Sequence, residues 1–311
     1  MAADATKTLV VIGVAFSDVA IEQEAAAPWG VSVERREVSE PQAIAAAVGD
    51  AAGLLVQYMQ VDAATIEACE SLRVIGRYGV GLDNIDVEAA ERRGVAVVNV
   101  PDYAVEEVAT HALALTLAAW RKLALADSLV RRGRWAEWET LAPIAPLSDA
   151  TLGLIGVGRI GGALASLAAP IFGRVVAHDP YAAAFPDGVD ALDLESLLAS
   201  SDAVSLHVPL NASTQALMGA ERFAQMRPGS VLVNVSRGAV VDIDALVAAL
   251  DAGRPAAAAL DVLPTEPPPA GHPLLGHPGV LMTPHVAWYS TRSVGRLRHM
   301  LADRCAALLA G

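Results

Sequence analysis

A chain of 311 residues, 54% of them hydrophobic, exceeds the size at which one core usually stops growing, so two domains are expected. Its formal net charge of −13 disfavours nucleic acid and anionic membrane surfaces as partners, and no apolar run reaches the ~18–20 residues of a bilayer span. Two cysteines, Cys69 and Cys305, offer neither a disulfide framework nor a metal cluster and suit a reducing compartment, with the cytoplasm as the expected setting.

Along the chain, short β-branched runs alternate with alanine-rich stretches of helical spacing. "LVVIGV", "VSVERREV", "GLLVQY", "RVIGRY" and "VAVVNV" come first and read as about five strands of a parallel sheet. The segment Ala104 to Gly133 then keeps a helical apolar stripe for about eight turns and is expected to be one long helix. Its basic end, "RRGRW", complements the helix dipole rather than marking a nucleic-acid site. A second series follows, "TLGLIGV", "RVVAHD", "DAVSLHV", "SVLVNVS", "AAAALDV" and "VLMTPH", about six strands, and a last helix runs from about Ser290 to Leu309. The pattern predicts two doubly wound α/β domains with a cleft between them. Domain one takes residues 1–102 plus 286–311 and domain two residues 103–285.

In "GLIGVGRIGGALA", Gly156, Gly158 and Gly161 form G-x-G-x-x-G directly after a strand and at the opening of a helix. Asp179 ends the next strand, 21 residues beyond Gly158, which completes a dinucleotide fingerprint. Gly156 permits the tight turn, Gly158 admits a pyrophosphate to the backbone, and Gly161 allows close helix–strand contact. The helix start, Arg159 and Ile160, presents unpaired N–H groups to the anion. Asp179 accepts from the adenosine ribose and repels a 2′-phosphate, so NAD is expected rather than NADP. His207 and Pro209, at the end of "AVSLHV", are expected to line the adenine pocket.

Three further strand ends carry "NVSRGAVVD", "ALDVLPTEP" and "MTPHV", gathering Arg237, Asp261, Glu266 and His285 near the reactive end of that cofactor. One guanidinium, two carboxylates and one imidazole suit hydride transfer to a keto acid. The guanidinium holds the substrate carboxylate and polarises the carbonyl, the imidazolium gives the carbonyl oxygen its proton, and a carboxylate orients the imidazole.

On these motifs, from about Gly53 to Leu309, the chain resembles the D-isomer-specific 2-hydroxyacid dehydrogenases. Within that family "RYGVGLDNID", "NVPDYAVEEVA" and "AWYS" are most similar to the branch of the C-terminal-binding-protein corepressors. The resemblance implies a flavodoxin-like substrate domain and a Rossmann NAD-binding domain, catalysis by Arg237, Glu266 and His285, and contact of Asp261 with the nicotinamide carboxamide. It also implies Ser236 beside the cofactor, the "GVG" backbone of Gly79, Val80 and Gly81 on the substrate carboxylate, and a homodimer through the helix at 104–133. The loop "QYMQ" faces the substrate in this likeness and holds no cation; with Trp288, Tyr58 and Met59 suggest an apolar or aromatic 2-substituent. Trp288 is otherwise plain packing, and Arg77 is either a substrate contact or a structural ion-pair partner.

About two dozen residues follow His285, which leaves no room for the regulatory domain of many phosphoglycerate dehydrogenases or the long tail of the animal corepressors. Formate dehydrogenases carry glutamine where Glu266 stands, so formate is disfavoured. His111, among alanines and leucines, reads as a packed core histidine, and His272 and His277 as loop residues without a metal. The expected function is NAD-dependent interconversion of a 2-keto acid and a D-2-hydroxy acid. The alternative is an NAD(H)-sensing, corepressor-like binding protein with vestigial activity.

Overall fold

The computed structural model describes residues 6–311. The chain divides into two compact units, the residues up to Ala104 together with Ser290–Gly311, and Val105–Tyr289.

The first unit alternates strand and helix: β1 (Thr6–Ile12), α1 (Ala20–Ala26), β2 (Ser32–Arg35), α2 (Ile44–Val48), β3 (Ala51–Val56), α3 (Ala63–Ala68), β4 (Val74–Arg77), α4 (Val87–Arg92) and β5 (Ala96–Val98). Its five parallel strands run in the order β2-β1-β3-β4-β5, the flavodoxin-like winding. Every residue of β3 is buried, as a central strand covered on both faces requires, whereas edge strand β2 buries only Val33. Asp62 and Asp86 cap α3 and α4 by accepting from the backbone N–H of Thr65 and Ala89, each at 2.8 Å.

The second unit opens with α5 (Val105–Trp120) and α6 (Leu123–Arg131). The single eight-turn helix expected here is interrupted because Lys122 adopts φ +53°, a left-handed conformation that ends one helix and starts another. Trp120 marks the same corner, donating its indole N–H to the Ala145 carbonyl at 3.0 Å. There follow β6 (Thr151–Ile155), α7 (Arg159–Ala168), β7 (Arg174–His178), β8 (Val189–Ala191), α8 (Leu194–Ser200), β9 (Ala203–Leu206), α9 (Ala220–Gln225), β10 (Val231–Asn234), α10 (Ile243–Asp251), β11 (Ala257–Leu260) and β12 (Val280–Met282). The sheet has seven parallel strands rather than about six, in the order β12-β11-β10-β9-β6-β7-β8. The additional one, β8, is a three-residue edge strand with no buried residue and so lacks an apolar signal. The order reverses between β6 and β9, which makes their carboxyl ends a ligand crevice.

The last helix, α11 (Thr291–Ala310), rejoins the first unit and packs on β3 and β4. Gly53 and Gly76 permit that contact, since a Cβ on Gly76 would lie 2.7 Å from Cys305 Sγ and one on Gly53 3.4 Å from Leu309. Among the described residues no helix is long and apolar enough to cross a membrane.

Candidate active site

Within the second unit the crevice begins where β6 ends. Gly156 turns the chain with φ +94°, and a Cβ there would stand 2.7 Å from the His207 carbonyl oxygen at the end of β9. A Cβ on Gly161 would stand 2.1 Å from the Gly156 oxygen, so α7 meets its strand only because both positions are glycine. Gly158 differs. Nothing lies within 4 Å of its Cβ position, so protein packing makes no demand for glycine there and the open space suits a bound group. Gly158 begins α7 without a capping side chain, and the first turn, Arg159 to Gly161, carries no acidic residue to oppose an anion. Asp179 Oδ2 accepts from Val157 N–H at 3.0 Å and Oδ1 from Tyr181 N–H at 2.9 Å, which aims the carboxylate beside the glycine turn. His207 bonds Ser205 Oγ at 2.9 Å through Nε2, and burial pushes its pKa down to about 4, so this wall is uncharged at neutral pH. Pro209 follows in the same exposed loop. These residues fit a dinucleotide: an anion cradle with space for a pyrophosphate and a carboxylate placed for a ribose.

Beyond β10, buried Asn234 shapes the next turn. Its Oδ1 accepts from Ser236 N–H and Oγ, and its Nδ2 donates to the Arg237 carbonyl at 2.9 Å. The Arg237 guanidinium donates to the Ser236 carbonyl at 2.8 Å. Gly238 brings this turn against the loop after β11, because a Cβ on it would stand 1.9 Å from the Leu263 carbonyl carbon. That loop carries Glu266, whose Oε1 accepts from Leu263 N–H at 2.8 Å and whose Oε2 lies 2.6 Å from His285 Nδ1. Desolvation pushes the Glu266 carboxyl up, but the hydrogen bond and charge of His285, the Leu263 N–H and the Arg237 charge outweigh it and hold the group below its ordinary value. With Nδ1–H committed to a carboxylate, the imidazole turns Nε2 away from Glu266.

Asp261 is almost fully buried, and its side chain holds the segment that carries His285. It accepts from Thr283 Oγ1 (2.5 Å) and Val286 N–H (3.0 Å) through Oδ1, and from Ala287 N–H (2.9 Å) through Oδ2. Trp288 donates its indole N–H to the His285 carbonyl at 2.8 Å and packs edge-on against Tyr289. Arg237, Glu266, His285, Asp261, Ser236 and Trp288 therefore gather on strand ends of one sheet. His111, expected as core packing, instead bonds Thr283 Oγ1 through Nε2 at 3.0 Å. A polar side chain interrupting an alanine–leucine face was the available sign that it has a partner.

The other candidates belong to the first unit. Tyr58 is 61% exposed after β3. The Met59 side chain lies over Gly13, and its carbonyl accepts from Asn84 Nδ2 at 2.8 Å. Arg77, ending β4, donates to the Tyr78 carbonyl at 2.8 Å and crosses Gly79, whose φ is +131°. The Gly79 and Val80 carbonyls accept from Val100 N–H and Asn99 Nδ2, so the loop through Gly81 keeps its N–H groups as its remaining donors.

A doubly wound parallel sheet with a glycine cradle, a histidine–carboxylate pair and an arginine on its strand ends defines the class, a dinucleotide-binding α/β domain. The family model of the D-isomer specific 2-hydroxyacid dehydrogenase NAD-binding domain matches residues 113–287. The glyoxylate reductase of Korarchaeum cryptofilum is 40% identical over 256 residues, covering 81% of this chain and 77% of that protein. The D-3-phosphoglycerate dehydrogenase of Archaeoglobus fulgidus is 43% identical over 231 residues, covering 73% of this chain and 44% of that protein. The chain spans about half the length of the phosphoglycerate dehydrogenases it matches. A D-lactate dehydrogenase from Aquifex aeolicus, solved with NAD and lactic acid, superposes with a TM-score of 0.85 at 27% identity over 95% of this chain and 93% of that one. The chain belongs to the D-isomer specific 2-hydroxyacid dehydrogenase family, and its second unit contains that family's NAD-binding domain.

Proposed function

We propose that the protein is an NAD-dependent oxidoreductase that interconverts a 2-keto acid and a D-2-hydroxy acid. The observation that carries this reading is the 2.6 Å pair of His285 and Glu266, on the sheet that also holds the glycine cradle. Bound in that cradle, NAD(H) supplies or accepts the hydride. Protonated His285 gives its Nε2 proton to the carbonyl oxygen in reduction, and neutral His285 removes the hydroxyl proton in oxidation. Glu266 holds the imidazole in that orientation. Arg237 grips the substrate carboxylate and polarises the carbonyl. Asp179, with one carboxylate oxygen bonded to the glycine loop at Val157, favours a free ribose over a 2′-phosphate and hence NAD over NADP.

The N–H groups of Gly79, Val80 and Gly81 take the substrate carboxylate, with Arg77 beside them. Tyr58 and Met59 suit an apolar or aromatic 2-substituent, since "QYMQ" has no cation for a phosphate. The working form is a homodimer through α5 and the segment after it. Leu123, Val130, Trp135 and Trp138 support this, being 47–81% exposed in one stretch of chain. The cytoplasm is its setting, in keeping with two buried free thiols.

A panel of 2-keto acids followed by NADH absorbance tests the reading, with phenylpyruvate or a branched keto acid expected to outperform glyoxylate and 3-phosphohydroxypyruvate. Preference for 3-phosphohydroxypyruvate would overturn the pocket assignment. No turnover with any keto acid, together with an NADH-dependent change in mass by light scattering, would favour the NAD(H)-sensing alternative.

A further inference from the structure

His285 holds a left-handed backbone, φ +53°, a conformation that non-glycine side chains rarely adopt and that persists only where its surroundings over-determine it. Here the surroundings include the Thr283 carbonyl, 3.1 Å from the His285 N–H, together with one aspartate and one indole. Asp261 accepts the His285 N–H on its carbonyl at 2.8 Å and, through its carboxylate, the backbone N–H groups of the next two residues. Trp288 occupies the His285 carbonyl. The direction in which the imidazole leaves the backbone is thus set by where the Asp261 carboxylate points.

That carboxylate has one more donor, which is a side chain. Thr283 Oγ1 lies 2.5 Å from Asp261 Oδ1, and since a carboxylate only accepts, the single hydroxyl proton is committed there. His111 Nε2 lies 3.0 Å from the same hydroxyl oxygen and 3.6 Å from Asp261 Oδ1. The hydroxyl having no second proton, His111 must be the donor, which requires its Nε2–H form. The bonds then run in one direction, from His111 Nε2–H to Thr283 Oγ1–H to Asp261 Oδ1. The imidazole N–H prevents the hydroxyl from rotating to any other acceptor, and the hydroxyl in turn keeps the carboxylate aligned on the His285 segment.

We propose that His111 and Thr283 are positioning residues for proton transfer at His285. The inference rests on the dehydrogenase reading above for its kinetic consequence, and on bond direction alone for its structural one. Among the described residues, the polar partners of His111 are Thr283 Oγ1 and Asp261 Oδ1 rather than His285 or Glu266. It acts through Thr283 and Asp261, so its loss misdirects the imidazole without removing a reacting group.

Thr283→Val deletes the hydroxyl at nearly constant shape, and Thr283→Ser restores it. His111→Leu deletes the donor, and His111→Gln offers an amide N–H in its place. The expected result is a fall in kcat of about 10²-fold for Thr283→Val and His111→Leu, the size of effect that a misplacement of about 1 Å produces. KM for the keto acid stays within about threefold, the thermal midpoint within a few degrees, and the serine and glutamine variants recover most of the loss. Equal loss in Thr283→Val and Thr283→Ser, or wild-type turnover in Thr283→Val, overturns the proposal. Nitrogen-15 histidine spectra of the unmodified protein, with the His111 signals assigned from the His111→Gln difference, read the ring form independently of activity. An Nε2–H ring supports the chain of bonds, and an Nδ1–H ring overturns it. A wild type that reduces no keto acid refutes the dehydrogenase reading, and the ring form then decides this inference by itself.

Discussion

His285 Nδ1 and Glu266 Oε2 stand 2.6 Å apart, at the ends of two segments that enter the site from β12 and β11. The carboxylate is held from its other side by the Leu263 N–H, so it orients the imidazole rather than following it. Because Glu266 sits below its ordinary value, about 4.3 for a free glutamate, it is charged throughout the neutral range.

A pH dependence follows from the sign of that shift. A carboxyl whose folded pKa lies below its unfolded value stabilises the fold at pH above the unfolded value, and the contribution disappears as pH falls through the folded one. The stability gap between wild type and Glu266→Gln should therefore be full near pH ~6–7 and close below about pH 4. Thermal melts over a pH series measure it; a gap that persists unchanged to about pH 3 contradicts the pairing.

The glycines of the cradle separate packing from binding. Gly161→Ala forces a Cβ to within 2.1 Å of the Gly156 oxygen and should destabilise the second unit. Gly158→Ala meets no protein atom within 4 Å and should leave the melting temperature within a few degrees of wild type while weakening NADH binding. Calorimetric titration with NADH beside a melt distinguishes the two. A Gly158→Ala protein that binds NADH normally would show that the cradle does not take a pyrophosphate.

In the first unit, Arg298 on α11 forms two bonds to Glu22, at 2.8 and 2.7 Å, and Tyr78 Oη donates to the same carboxylate at 2.9 Å. Glu22 and Tyr78 are essentially inaccessible, and burial with the Glu22 charge pushes the tyrosine hydroxyl well above its usual range, so it remains a donor. Arg298→Met strands a buried carboxylate and should cost about 3–5 kcal/mol of unfolding free energy, while Glu22→Gln in the same background recovers part of it. Urea denaturation checks this, with a single-variant loss under about 1 kcal/mol as the contrary result. Tyr78 precedes Gly79 directly, so the same network anchors the "GVG" loop.

Much of the architecture was legible because its causes are local. β-branched runs, a glycine turn and an aspartate at the next strand end each declare themselves within a few residues, and the parallel winding follows from their alternation. The break at Lys122 was not legible, since the apolar stripe continues across it and only the backbone reverses. β8 escaped because a three-residue edge strand needs no apolar residue. Asp261 and His111 were harder still. The resemblance directs Asp261 to the cofactor, whereas its carboxylate here receives three donors from Thr283, Val286 and Ala287. Its partnership with His111, 150 positions earlier in the chain, depends on how α5 lies across the sheet of the second unit, which no local pattern encodes.

In the proposed reaction His285 carries the proton. The most direct test is the turnover of His285→Ala with NADH and the best keto acid of the panel, measured beside NADH affinity. The expected result is a loss in kcat of at least about 10²-fold, within the usual ~10²–10⁴ range of general acid–base assistance, with NADH affinity retained. Turnover equal to wild type would contradict it.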